Sequence, residues 1–304
     1  MKITLATHHG MCFGVRDALR KTHDTAAKGP ATVLGQLVHN PVVQNHLDSL
    51  GLERGNLETV GSSRTERVII TAHGAADRDR DAWRRAGYAL TDTTCPLVRK
   101  AHHALAQLVA AGCRPVVIGQ AGHVEVRGLC GDFPDAVVIE NEADLDNLPP
   151  VDKFGVVSQT TQPLAKVMAL VETLRRRRPR AEVIFRDTVC QPTKDRQTAL
   201  EALCAANELV VVIGGRNSNN TRQLAETAQG FGTAVRQVET AEDLHAEWFR
   251  GVETVGVTAG TSTLDETVQA VVTRLKQIAA GTRASSPASR LAPVIHRAIT
   301  AAFA

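Results

Sequence analysis

The chain has 304 residues, 43% of them hydrophobic, enough to bury more than one core. Its 35 basic and 32 acidic residues leave a net charge of only +3, and aromatic residues make up 3%, so neither a general polyanion binder nor a base-stacking surface is expected. No apolar run is long enough to cross a membrane, and MKITLATHHG lacks the features of a secretion signal; the cytoplasm is the expected compartment. Six cysteines (12, 95, 113, 130, 190 and 204) are then expected to be free, metal-bound or catalytic, and without a CxxC pair neither a zinc ribbon nor a thioredoxin-like centre is indicated.

KITLA reads as a first strand, followed by HHGMCFGVRDAL, where a helical pattern opens at Cys12. ATVLGQLV is the next strand and ends in the polar loop HNP at His39; RVIITAHG follows and ends at His73. GYALT leads to a second cysteine corner, DTTCPLVRKAHHAL, with Cys95 between strand and helix. RPVVIGQA then ends in GHVE, with His123 and Glu125, and KFGVVSQTT ends at Thr160 and Thr161. The helix LAKVMALVETLRRRR closes on Arg175 to Arg178, positive charge that complements the helix dipole rather than marking a nucleic-acid site. AEVIF leads to the third corner, DTVCQPTKDRQTAL, with Cys190. LVVVIGG ends in NSNN, with Ser218, Asn219 and Asn220, and ETVGVTAGTS ends at Ser262.

The three cysteine corners are followed by parallel series of elements, each with strand, helix, strand, helix and strand over ~90 residues. Such alternation predicts an α/β fold of three related units with parallel sheets covered by helices. In open parallel sheets ligands bind beyond the carboxyl ends of strands, where every polar loop named above lies. After residue 281 the pattern stops; GTRASSPASR reads as a linker and LAPVIHRAITAAFA as one short amphipathic helix.

A buried structural cysteine is the ordinary role for any one of these thiols. Cys204 fits it on the apolar face of a helix, Cys113 precedes a strand, and Cys130 has no counterpart in the other units. Cys12, Cys95 and Cys190 differ because their positions are equivalent. Three thiolates suit a zinc site completed by a fourth ligand, or a four-iron cluster with one iron left open. The loop residues His39, His73, His123, Ser218, Asn219, Asn220 and Ser262 offer the many donors a phosphate or diphosphate needs. His102 and His103 read as satisfied or surface residues. Glu125 is either a proton relay or an exposed loop glutamate.

The segments ITLATHHGMCFGVRDAL, LVHNPVV, TAHG, DTTCPLV, GQAGHVEVRG, SQTT, DTVC, RNSNN and VTAGTS resemble the IspH (LytB) family, the 4-hydroxy-3-methylbut-2-enyl diphosphate reductases. The resemblance covers nearly the whole chain. It implies a three-lobed α/β fold around a central iron–sulfur cluster, with units 13–95, 96–190 and 191–281 plus 1–12, and a tail 282–304. It implies the last step of the non-mevalonate isoprenoid pathway, with a [4Fe–4S] cluster on Cys12, Cys95 and Cys190. Glu125 and Thr160 would be catalytic, and His39, His73, His123, Thr161, Ser218, Asn219, Asn220 and Ser262 would bind an allylic diphosphate. An external donor such as ferredoxin or flavodoxin is implied, since VVVIGGRNSNN lacks a GxGxxG fingerprint.

Several positions depart from the family's usual pattern: Asn219 stands for a serine, Leu264 for a proline, Val124 for a proline, Gln162 for a leucine, and His8 and His9 precede Cys12. No proposed ligand is removed. A paralogue acting on another allylic diphosphate, or a non-enzymatic iron–sulfur sensor, is the alternative reading.

Overall fold

The computed structural model describes residues 1–281; the expected linker and amphipathic tail helix lie outside the described residues. Short β-branched runs alternate with amphipathic segments, and small or polar residues mark the corners between them. In chain order these form β1 (Lys2–Leu5), α1 (Phe13–Ala26), β2 (Ala31–Leu34), α2 (Pro41–Ser49), β3 (Glu53–Gly55), β4 (Arg67–Ile70), α3 (Asp77–Arg85) and β5 (Ala89–Asp92). Next come α4 (Pro96–Ala110), β6 (Arg114–Ile118), α5 (Val124–Gly131), β7 (Val137–Ile139), β8 (Lys153–Ser158), α6 (Leu164–Arg177) and β9 (Glu182–Phe185). The series closes with α7 (Gln191–Ala206), β10 (Leu209–Ile213), α8 (Asn219–Gly230), β11 (Ala234–Val238), β12 (Thr254–Ala259) and α9 (Asp265–Ala279).

The strands form three four-stranded sheets, ordered β3-β2-β4-β5, β7-β6-β8-β9 and β1-β12-β10-β11, and their pairings are parallel. This is the expected α/β architecture of three related sheets, with one strand more in each than the apolar pattern predicts. The additional strands β3, β7 and β11 all lie at sheet edges. An edge strand pairs on one side only, so a segment as polar as Glu53–Gly55 can serve. The strand expected over ATVLGQLV stops at Leu34, because Gly35 at φ 113° turns the chain away.

As compact units the sheets number two. One unit comprises Met1–Cys12, His39–Leu47 and the described part of Asp195–Ala304, and carries the β1-β12-β10-β11 sheet. The other comprises Phe13–Val38 and Asp48–Lys194 and carries the remaining two sheets. Within it, Asp132 at the end of α5 accepts the N–H groups of Asp77 and Arg78 at 2.7 and 3.0 Å, satisfying two orphan donors of α3.

Central strands are apolar on both faces because helices cover both. Val210 and Val212 of β10 pack with Leu200, Leu203 and Leu224 from α7 and α8. Val211 and Ile213 face the other way, toward Val268, Val271 and Leu275 of α9. The same division holds around β6, where Val117 lies with Leu105 and Leu129, and Val116 with Val167 and Val171. Leu105→Ala is expected to lower the unfolding free energy by about 2–5 kcal/mol, read from urea denaturation. The arginines ending α6 are engaged by the fold itself: Arg177 bonds Asp146 at 2.7 Å and Arg178 the Leu148 carbonyl at 3.0 Å.

Candidate active site

The three equivalent cysteines share one backbone hydrogen bond. Cys12 N–H donates to Thr261 O at 3.0 Å, Cys95 N–H to Ala72 O at 3.0 Å, and Cys190 N–H to Thr160 O at 2.9 Å. Each acceptor lies two residues beyond the end of a strand, β12, β4 or β8. Each cysteine stands directly before a helix, α1, α4 or α7, where the helix dipole favours a thiolate. All three are half-buried and free of disulfides. Cys113 and Cys204 are buried in the core, and burial pushes the half-buried Cys130 thiol up to about 11, leaving it inert.

In the unit holding Cys95 and Cys190, Glu125 is fully buried at 2% exposure on the first turn of α5. His123 caps that helix, its Nδ1 accepting the Glu125 N–H at 3.1 Å. Glu125 Oε1 accepts the backbone N–H of Thr160, itself buried, at 2.6 Å. Desolvation raises the carboxyl pKa to about 7, with the Thr160 hydrogen bonds pulling only partly against it. The exposed-loop reading of Glu125 is therefore excluded; the group holds a titratable proton near neutrality. His73, just beyond β4, meets His123 edge to face with ring centroids 5.5 Å apart. Thr161 Oγ1 accepts from Gln159 Nε2 at 3.3 Å. Gly14, in the first turn of α1, leaves room for Cys95 Sγ, which a methyl group there would strike.

The unit holding Cys12 gathers a second polar set. Ser218 caps α8, accepting the Thr221 N–H at 3.3 Å; Asn219 and Asn220, both 3% exposed, follow it. Asn220 Oδ1 accepts the Thr261 N–H at 3.0 Å, so α8 is tied to the loop that also holds the Cys12 N–H. Asn219 Oδ1 accepts Arg222 Nη2 at 3.2 Å. Ser262 Oγ donates to His39 O at 3.4 Å, and Ser262 O accepts Asn40 Nδ2 at 2.6 Å. Burial, then the nearby Arg222 charge, lower the His39 pKa, so its ring stays neutral. Gly215 admits the same loop: a methyl group there would lie 2.7 Å from His39 O.

Some residues of these sets carry no sequence signal strong enough to single them out. Buried Asn40 accepts the Val42 N–H at 2.8 Å to cap α2, and only the dipeptide Asn-Pro hints at this. Buried Arg196 donates to Gly10 O at 2.5 Å, across 186 residues. His102 departs from its expected role: its ring is largely buried, its Nε2 has no partner among the described residues, and its pKa falls to about 4. His103 is satisfied by Gln107 at 2.9 Å.

The chain resembles known proteins over almost its whole length. A reductase from Geobacter metallireducens, named 4-hydroxy-3-methylbut-2-enyl diphosphate reductase, is 35% identical over 91% of this chain and 98% of that protein. One of the same name from Aquifex aeolicus is 33% identical over 93% of this chain and 99% of its own. The E-1-hydroxy-2-methyl-but-2-enyl-4-diphosphate reductase structure from Plasmodium falciparum superposes with a TM-score of 0.85 at 27% identity, covering 90% of this chain and 88% of that one. A structure titled (E)-4-hydroxy-3-methyl-but-2-enyl diphosphate reductase, terminal enzyme of the non-mevalonate pathway, gives 0.65 at 33% identity, covering 91% and 100%. Among the described residues no helix is long and apolar enough to cross a membrane. The family described as LytB protein matches residues 3–276, and the chain belongs to it.

Proposed function

We propose that this chain is a cytoplasmic 4-hydroxy-3-methylbut-2-enyl diphosphate reductase. It replaces the 4-hydroxyl by hydrogen, taking up two electrons and two protons and releasing water, to give isopentenyl and dimethylallyl diphosphate. The observation that carries the reading is Glu125, a buried carboxyl with a pKa near 7 set against Thr160, in a chain of the LytB family. A sensor would have no use for such a proton donor.

Cys12, Cys95 and Cys190 are the proposed ligands of a [4Fe–4S] cluster. Their equivalent corners, the helix N-termini beside them and the space that Gly14 leaves at Cys95 Sγ fit such a group. The other cysteines occupy no equivalent corner, which disfavours a closed zinc tetrahedron. When bound, the cluster supplies electrons and a Lewis-acidic iron for the substrate hydroxyl. Gly14→Ala is expected to weaken iron retention roughly tenfold by displacing the Cys95 thiol, measured as iron per chain after anaerobic desalting.

The chain's own groups supply the rest. With Oε1 taken by the Thr160 N–H, the other Glu125 oxygen holds the proton that goes to the departing hydroxyl. The Thr160 hydroxyl binds the substrate alcohol. His39, Ser218, Asn219, Asn220 and Ser262 of one unit, and His73, His123 and Thr161 of the other, are the proposed substrate-binding residues. Neutral His39 offers a diphosphate one N–H donor, and the start of α8 adds backbone donors. Electrons come from an external carrier, ferredoxin or flavodoxin.

Anaerobic incubation with 4-hydroxy-3-methylbut-2-enyl diphosphate and reduced methyl viologen tests the reading. Dye oxidation with formation of both five-carbon diphosphates is expected. No product from protein of verified cluster content would overturn it, leaving a sensor or an enzyme of another allylic diphosphate.

A further inference from the structure

Both DTxC segments fold into the same device, and the function proposed above uses only their cysteines. At the first, Asp92 Oδ1 accepts the backbone N–H of Thr94 at 2.9 Å and its hydroxyl at 2.5 Å. Asp92 Oδ2 accepts Arg99 Nη2 at 3.0 Å and buried Arg80 Nε at 2.9 Å. At the second, Asp187 Oδ1 accepts the Val189 N–H at 3.1 Å, and Oδ2 accepts the Lys194 ammonium at 2.6 Å. The register is identical: the aspartate comes three residues before the cysteine and the cation four after it. The cation's backbone N–H also bonds the cysteine carbonyl, Arg99 to Cys95 and Lys194 to Cys190, both at 3.1 Å.

The threonine between aspartate and cysteine repeats as well. Thr93 Oγ1 donates to Ile70 O at 2.5 Å and Thr188 Oγ1 to Ser158 O at 2.6 Å, the last residues of β4 and β8. The Cys12 corner is built differently. His9 and Gly10 stand where aspartate and threonine would, His9 Nδ1 turns back to Ala6 O at 2.7 Å, and Arg196 holds the Gly10 carbonyl.

We propose that Asp92 and Asp187 are positioning residues for Cys95 and Cys190. Each carboxylate spans its cysteine, joining the residue before it to the first turn of the helix after it, so the thiol's direction is set before a cluster binds. The threonine stitches the same corner to the neighbouring strand. An ordered corner loses less conformational freedom when its thiolate takes up iron. Aspartate suits the task because one oxygen takes a backbone N–H while the other takes a cation, which asparagine cannot do with both atoms. The inference rests on the reading of these cysteines as cluster ligands.

The test uses the full chain with Asp187→Ala, Asp187→Asn and Lys194→Met, reconstituted anaerobically with iron and sulfide. Three quantities are read: the rate of iron loss to a ferrous chelator, the Tm of the cluster-free protein, and the rate at which iodoacetamide alkylates Cys190 in that protein. Asp187→Ala is expected to release iron roughly tenfold faster and to alkylate faster at Cys190 but not at Cys95, with the Tm held within a few degrees. Asp187→Asn, which keeps the acceptor for Val189, and Lys194→Met are expected to fall between it and the unsubstituted protein. Unchanged iron release and alkylation would overturn the proposal, as would iron release that merely follows a falling Tm across the three variants. If the unsubstituted protein takes up no cluster, the proposed function fails on its own, and Cys190 alkylation alone decides whether the corner is held by Asp187.

Discussion

Glu125→Gln is expected to lower turnover by about 10²–10⁴-fold at pH 7 while the allylic diphosphate still binds. The amide keeps an oxygen for the Thr160 N–H but has no proton to give to the leaving hydroxyl. In the unsubstituted enzyme the acid form prevails below the raised pKa of about 7, so the rate should fall as pH rises through that value. Retained turnover in Glu125→Gln, or a rate flat from pH 6 to 8, would remove Glu125 from the mechanism. The same shift carries a stability consequence. A folded-state pKa raised from 4.5 to about 7 means the folded protein binds this proton more tightly than the unfolded chain. That contribution is complete below pH 4.5 and is lost as pH rises through 7, a change of about 3 kcal/mol. Glu125→Gln should therefore raise the Tm of the cluster-free protein at pH 8.5 relative to the unsubstituted protein, an advantage that shrinks away toward pH 4.5. A disadvantage at high pH would show that the buried carboxylate is stabilised rather than penalised.

Cys95→Ser and Cys190→Ser are each expected to lose most cluster iron and to reduce turnover to background, whereas Cys204→Ser keeps both. The contrast separates ligation from packing. Cys204 lies in the core with Leu200 and Leu203, so its replacement costs about 1–3 kcal/mol for burying a hydroxyl and touches no thiolate site. Cys95 and Cys190 are half-buried, each held by a backbone hydrogen bond to the loop after a neighbouring strand. Equal iron in all three variants would exclude Cys95 and Cys190 as ligands. Iron analysis beside a denaturation curve for each variant distinguishes loss of cluster from loss of fold.

Much of this architecture is legible along the chain, because strand and helix periodicity is a local property and the chain repeats it. The order of the strong strands and helices, the equivalence of Cys12, Cys95 and Cys190, and the placing of His39, His123 and Ser218 after corresponding strands all follow from that. The edge strands β3, β7 and β11 do not, since pairing on one side demands no long apolar run. Nor does the grouping of three sheets into two compact units, which depends on packing between segments distant in sequence. Asn40 shows the limit most plainly: its partner Ser262 is 222 residues away. Sequence by itself therefore determined the α/β repeat and the residue types at its corners. Only the tertiary structure decided that Glu125 is buried against Thr160, and that Asp92 and Asp187 each grip a cation across a cysteine. The first depends on desolvation by groups from distant segments, and the second on how the chain turns at each corner; neither is encoded in periodicity.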